Sequence, residues 1–391
     1  MLTAETTIIA PARRLDAVQE YYFSAKLREI AQMRAQGCPV INLGIGSPDL
    51  PPAPQVIAAL HTHSAAGHNH AYQSYNGIPE LRKAFANWYQ RWFGVDLDPD
   101  REVLPMLGSK EGIMHISMAF LNPGDVALVP NPGYPTYRSA TLLAGGEVME
   151  YDLTAENDWF PDLEALETAE LSRVKIMWVN YPHMPTGARA SADQLAALVA
   201  FARRRGILLV NDNPYAFILN DQPLSLLGVP GAREVALELN SLSKSQNMAG
   251  WRVGMLAGAA PYLQAVLRFK SNMDSGMFKP IQLAAAEALQ LDEHWYRQLN
   301  TAYRRRRVLA EQLLVHLDCR FDAEQTGLFV WARIPDRYAD GYALSDQLLY
   351  DCHVFLTPGG IFGAQGNRYV RISLCSPEGE LEEAMSRISL I

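Results

Sequence analysis

The sequence predicts an α/β protein: a large domain built on a mostly parallel seven-stranded sheet flanked by helices, plus a smaller α+β domain. Three observations carry this reading. Seven short apolar runs recur between residues 103 and 257, most of them separated by helical stretches. Loops rich in small and polar side chains fall at the carboxyl ends of those runs, where sites in such sheets lie. After about Gln290 the texture changes to one long helical stretch followed by β-rich segments.

In chain order, Val18 to Arg34 reads as a helix, with Val18, Tyr22, Leu27, Ile30 and Met33 roughly on one face. Leu43-Gly-Ile-Gly-Ser-Pro-Asp-Leu-Pro-Pro52 is a turn-rich loop. The expected strands are Val103–Leu107, Val126–Val129, Gly146–Tyr151, Lys175–Asn180, Ile207–Asn211, Val235–Asn240 and Val253–Ala257. Met114, Met118 and Phe120 recur at helical spacing and read as core. A long helix then carries Arg304–Arg307, expected to be a solvated face. Gly327-Leu-Phe-Val-Trp-Ala-Arg and Arg368-Tyr-Val-Arg-Ile-Ser-Leu follow as strands around a further helix. The expected division is 1–47 as an N-terminal arm and part of the small domain, 48–290 as the large domain and 291–391 as the small one.

A chain of 391 residues suits two domains, and its 49% hydrophobic and 19% charged content suits a globular enzyme with a large interior. A net charge of -8 and a pI near 5.6 argue against nucleic acid or an anionic membrane as the main partner. The four cysteines show no CxxC spacing and read as reduced thiols. No signal-peptide pattern opens the chain and no apolar run is long enough to span a bilayer, so a cytoplasmic location is expected.

The chemistry concentrates in Ser241-Leu-Ser-Lys-Ser-Gln-Asn-Met-Ala-Gly-Trp-Arg-Val-Gly254. Lys244 follows a β-rich run, hydroxyl residues flank it, and Arg252 lies in a Gly-bracketed turn. A lysine at the mouth of a sheet among anion-binding groups can form a Schiff base with a phosphorylated aldehyde cofactor. Asp212 ends the apolar run Leu-Leu-Val-Asn-Asp, where a carboxylate can hold a pyridine nitrogen protonated. Gly108-Ser-Lys follows a strand and opens a helix, so its amides point at an anion. Ser241, Ser243 and Arg252 add hydroxyls and a fixed cation. His61, His63, His68 and His70 lack partners at ligand spacing and read as a polar loop, and no metal is expected.

The lysine segment resembles the motif of the pyridoxal-phosphate (PLP) aminotransferases of fold type I, classes I and II, and further motifs extend the resemblance from about Ile41 to Ser373. The resemblance implies PLP as cofactor, with Lys244 holding it and later moving the proton between substrate Cα and cofactor C4′. It implies that Ser109 and Lys110 belong to the phosphate cradle, that Tyr134 stacks on the pyridine ring and that Tyr215 donates to the cofactor phenolate oxygen. Tyr72, in Ala71-Tyr-Gln-Ser-Tyr-Asn-Gly-Ile-Pro-Glu-Leu-Arg82, would reach the phosphate of a neighbouring subunit, which implies a homodimer with shared active sites. Arg371 would grip the substrate carboxylate, with Arg368 as the decoy, and Gly46 would lie over substrate; Tyr21 and Asn272 are further substrate-side candidates. One position departs. Asn180-Tyr-Pro-His-Met-Pro-Thr-Gly187 has Met184 where the family keeps an asparagine that donates to the phenolate oxygen, and a thioether cannot donate.

The expected reaction moves an amino group from an α-amino acid to a 2-oxo acid, in ping-pong fashion. Gln19-Glu-Tyr-Tyr-Phe, Ile45-Gly-Ser-Pro-Asp-Leu-Pro and Gly108-Ser-Lys-Glu-Gly resemble the branch with LL-diaminopimelate and alanine aminotransferase-like enzymes. The rivals are another PLP reaction on this fold (lyase, decarboxylase or oxidase) and a non-catalytic sensor domain of a transcription regulator. The latter usually follows a DNA-binding segment, for which motifs beginning near residue 41 leave no room.

Overall fold

A computed structural model describes residues 9–18, 20 and 22–389. Helix α1 (Tyr22–Ala35) begins later than its apolar pattern suggests: Val18 lies outside it, and Leu27 is exposed while Phe23 and Ile30 turn inward. Strand β1 (Ile41–Asn42) follows, then α2 (Pro54–Ser64) and α3 (Pro79–Phe93), both opened by proline at the first helical position.

Seven strands form the large sheet: β2 (Val103–Met106), β3 (Val126–Asn131), β4 (Glu147–Asp152), β5 (Val174–Val179), β6 (Leu208–Asp212), β7 (Ala236–Ser241) and β8 (Gly254–Gly258). Their order across the sheet is β2-β8-β7-β6-β5-β3-β4, and all run parallel except β8, which is antiparallel to both neighbours. Intervening helices are α4 (Ser109–Phe120), α5 (Pro135–Leu143), α6 (Leu163–Thr168) and α7 (Ala192–Arg205); α8 (Ala260–Lys270) and α9 (Lys279–Ala288) come after the last strand. The near-continuous apolar strands follow from burial on both faces. Along β5, Met177 and Val179 join one core while Ile176 and Trp178 join the other; along β3, Val126 and Leu128 alternate with Ala127 and Val129. Helices α2, α3, α7 and α9 cover the first face, and α4, α5 and α8 the second. Boundaries are set by local chemistry: Ser191 and Gln194 close a capping box on α7, and Gly206 ends it in the left-handed region.

Helix α10 (Glu293–His316) places Tyr296 in the first core and Leu299, Tyr303 and Leu313 in a third. That third core is built on β9 (Arg320–Phe321), β10 (Phe329–Arg333), α11 (Gly341–Cys352), β11 (Val354–Phe355), β12 (Thr357–Pro358), β13 (Tyr369–Ser373) and α12 (Glu378–Ile388). Strand β13 sits between β12 and β10, antiparallel to both, and β1 pairs with β11. The arginine run corrects its expectation in part. Arg304 and Arg305 are exposed, but Arg306 is buried and forms a two-pronged pair with Asp49 (2.6 and 2.8 Å). Helical geometry turns successive residues by about 100°, so a four-residue run cannot share one face. Arg306 thereby ties the loop before α2 to the third core.

Candidate active site

Because β8 alone is reversed, the carboxyl ends of β2, β5, β6 and β7 and the beginning of β8 meet at one edge; Gly254 is paired with both Met106 and Ser241. A cavity of about 330 Å³ opens there, closed on the other side by β10, β13 and the 44–47 loop. Lys244, Ser109, Lys110, Tyr134, Asp212, Tyr215, Ser241, Ser243, Arg252, Gly46 and Arg371 all line it. Tyr72 does not: it is 91% exposed on its own chain. Asn272 also lies outside the lining, its amide donating to the Arg268 carbonyl at 2.8 Å. Tyr21 lies outside the described residues.

Lys244 Nζ donates to the Gly46 carbonyl at 2.6 Å. Burial pulls its amine below the ordinary lysine value, with Arg371 and Arg252 adding repulsion, which favours the neutral nucleophile. At the end of β6, Asp212 accepts from the Tyr137 hydroxyl at 3.0 Å, and Tyr137 is stacked on Trp178 at 5.2 Å. The other carboxylate oxygen, Oδ1, is buried without a hydrogen-bond partner among the described residues. Burial pushes the Asp212 carboxyl up to about 6, against the pull of the Tyr137 hydroxyl, the nearby Ser109 hydroxyl and Lys244. An orphaned buried carboxylate oxygen is costly unless a ligand satisfies it.

The anion-binding corner is equally specific. Gly108 has φ of +85°, and a side chain there would strike Arg252, so only glycine lets the strand turn into α4. Arg252 donates to the carbonyls of Ala249 (2.8 Å) and Leu107 (3.3 Å) and to Ser243 Oγ (3.4 Å), and it has no ion pair among the described residues. Ser241 and Ser243 hydroxyls are bonded at 2.9 Å, and the Ser109 hydroxyl at the start of α4 is buried without a partner. A helix N-terminus, three hydroxyls and a fixed guanidinium suit a phosphate dianion. With a strand-end lysine and an orphaned carboxylate beside it, the set fits PLP.

Opposite stands Arg371. It is buried, donates to the Gly44 carbonyl at 2.8 Å and to Met184 Sδ at 3.2 Å, and lies 3.8 Å from the Phe329 ring centroid and 4.7 Å from that of Phe362. Arg368 faces the surface, bonded to the carbonyls of Pro335 and Ala339 and to Asp336. Gly46 presses on Phe329, leaving no room for a Cβ.

The sequence matches the family "Aminotransferase class I and II" over residues 39–388. The chain belongs to the class I and II aminotransferases. It is 41% identical over 380 residues to an LL-diaminopimelate aminotransferase of Dehalococcoides mccartyi (97% of this chain, 98% of the relative) and 44% identical to that of Desulforudis audaxviator (96% of each). Among solved structures, apo-BacF from Bacillus subtilis superposes with a TM-score of 0.94 at 38% identity, covering 98% of each chain. A mutant aspartate aminotransferase of Thermus thermophilus superposes at 0.91 with 28% identity, over 98% of this chain and 100% of that one. The protein is thus a PLP-dependent transferase of fold type I that moves amino groups between α-amino acids and 2-oxo acids.

Several pocket residues escaped the sequence reading. Tyr137 has the wall position that bonds Asp212; its segment, Tyr134-Pro-Thr-Tyr137, offered two tyrosines, and only the first was assigned a role. Asn180 bonds the Asp212 carbonyl with its amide and accepts from Met184 N–H at 2.8 Å. The phenylalanines around Arg371 left no sequence signal, because an aromatic in a strand reads as core.

Proposed function

We propose that Lys244 is the residue that carries the cofactor and serves as the acid–base group of both half-reactions. The observation that carries this is the convergence, from separate strand ends, of a nitrogen shifted toward its neutral form, an orphaned carboxylate and a phosphate-sized cradle in one cavity. PLP, when bound, supplies an electron-withdrawing ring that makes the substrate Cα–H acidic. Asp212 would hold the proton on the ring nitrogen, its unsatisfied Oδ1 being free to accept from that N–H. Ser109, Lys110, Ser241, Ser243 and Arg252 bind the phosphate, Tyr134 packs on the ring face and Tyr215 donates to the ring oxygen. Arg371 takes the substrate carboxylate and Gly46 lets the loop close over it. Lys244 would then be the group that takes and returns the proton of the substrate Cα. The Gly44 and Gly46 carbonyls hold Arg371 and Lys244 two residues apart on one loop, which favours a single placement of carboxylate and Cα.

A homodimer with shared sites and a cytoplasmic location belong to the same reading. Tyr72, Tyr75, Met273 and Phe278 are all exposed apolar side chains, and His70 meets Phe278 ring to ring at 5.5 Å, so one patch gathers Tyr72 and the segment of Asn272. A second copy covering it would bring Tyr72 to a phosphate. No helix among the described residues is long and apolar enough to cross a membrane. Residues 48–290 would form the cofactor domain, with 1–47 and 291–391 closing over it. The relatives' name brings LL-diaminopimelate to this chain as one donor to measure. Borohydride reduction of the loaded protein followed by peptide mapping should tag Lys244; a tag on Lys110 or Lys270 would remove the assignment.

A further inference from the structure

We infer that the amino-acid substrate carries an apolar side chain, branched or aromatic, and that a second charge on that side chain is selected against. This rests on Arg371 as the carboxylate anchor. Among the described residues, five charged side chains line the cavity: Lys110, Asp212, Lys244, Arg252 and Arg371. Cofactor and α-carboxylate engage all five. Among the described residues, the remaining wall around Arg371 is mostly apolar and carries no further charge. Phe329 and Phe362 stand 3.8 and 4.7 Å from the guanidinium, Phe23 stands at 5.8 Å, and Ile45 and Met184 line the same cavity, with Ser47 and Asn180 as polar but uncharged neighbours. Met184 matters most among these, because it puts a thioether against Arg371 where the family pattern has a polar amide. Any ligand anchored on Arg371 extends along these groups.

The two segments of the exposed patch proposed to meet a second copy add little charge. Residues 71–78, the segment of Tyr72, contain no charged side chain. Residues 271–278 contain one, Asp274, and it is paired with Lys270. A distal carboxylate or ammonium would lose its hydration at this wall and gain no counter-charge from the described residues, whereas a leucine or phenylalanine side chain would gain apolar contact.

The test uses the PLP-loaded enzyme in single-turnover mode, following loss of its visible absorbance with L-phenylalanine, L-leucine, L-glutamate, L-aspartate and LL-diaminopimelate. The expected result is that phenylalanine or leucine exceeds the three doubly charged amino acids by about 10²-fold in rate over concentration. Titration calorimetry with unreactive carboxylates gives a second readout: 3-phenylpropionate should bind at least 10-fold tighter than glutarate. Ile45→Arg, which adds a cation to the wall, should move the glutamate-to-leucine ratio at least 10-fold toward glutamate. Glutamate or LL-diaminopimelate matching the apolar amino acids would overturn the substrate class while leaving amino transfer intact. If no amino acid discharged the absorbance, the reading of the site would fall and the substrate class with it.

Discussion

Asp212 and Met184 show how one residue's surroundings fix its chemistry. Without cofactor, the Asp212 carboxyl titrates at about 6 in the fold against 3.8 ordinarily. The folded chain therefore binds this proton more tightly than the unfolded chain. Stability falls as pH rises from about 4 to about 6, and the penalty is complete above that window. Asparagine lacks the penalty. Cofactor-free Asp212→Asn should thus be more stable than wild type by about 2–3 kcal/mol at pH 7.5, with the gain vanishing below pH 4. Denaturant titration at the two pH values checks this; an equal gain at both would assign it to something other than charge burial. In the loaded protein the same substitution should weaken cofactor retention, since the ring N–H loses its anionic acceptor. Met184 lines the same cavity and its sulfur is already in contact with Arg371. An amide there would donate to the cofactor's ring oxygen in its more negative, deprotonated state, a bond to a charged group worth about 1.5–3 kcal/mol. With Tyr215 as the proposed donor to that oxygen, Met184→Asn should lower the midpoint of the absorbance titration by only about one unit. An unchanged midpoint would confine the influence of Met184 to Arg371.

At the scale of elements, the turn from β2 into α4 is held by a residue one turn inside the helix. Glu111 accepts from the Leu107 N–H, while Arg252 binds the Leu107 carbonyl, so the peptide ahead of Gly108 is fixed on both sides. Against the upward push of burial, His115, Asp274 and Lys270 keep the Glu111 carboxyl well below its usual range. Its Oε1 lies 3.6 Å from Lys270 Nζ and 3.1 Å from His115 Nε2. Glu111→Ala would leave buried Lys270 to Asp274 alone and free the Leu107 amide. It should cost about 2–3 kcal/mol in stability by urea denaturation and raise the dissociation constant for PLP several-fold. Full stability with normal PLP affinity would show that Gly108 and Arg252 hold the turn unaided. The pair of Arg306 with Asp49 plays the matching part on the far side, anchoring the loop that carries Gly44 and Gly46.

At the scale of the molecule, the shared site is tested by complementation. Tyr72→Ala and Lys244→Ala chains each lack one part at both sites of a homodimer. A verified heterodimer should regain one site holding both wild-type residues and one holding neither, giving about half of wild-type activity per dimer. No recovery would place Tyr72 outside the site of either chain.

The sequence by itself determined the seven-strand frame, the strand boundaries to within a residue or two, and the cofactor-side motifs. Those signals are local: apolar runs have the length and flanks of buried strands, and small, hydroxyl and charged residues at their ends have no packing reason to be there. The spacing Arg-x-x-Arg-Ile-Ser favoured Arg371 over Arg368, and Arg371 is the one of the two that lines the cavity. Only the tertiary structure decided that Arg306 is buried, that Tyr137 rather than Tyr134 bonds Asp212, and that phenylalanines and a methionine sheathe Arg371. These depend on contacts between residues far apart in the chain, and an aromatic or arginine has the same local pattern whether it faces core, solvent or substrate. The reversal of β8 is only partly of this kind: nothing in Gly254–Gly258 encodes its direction, although the twelve residues from Leu242 to Val253 are near the least length that a crossover needs.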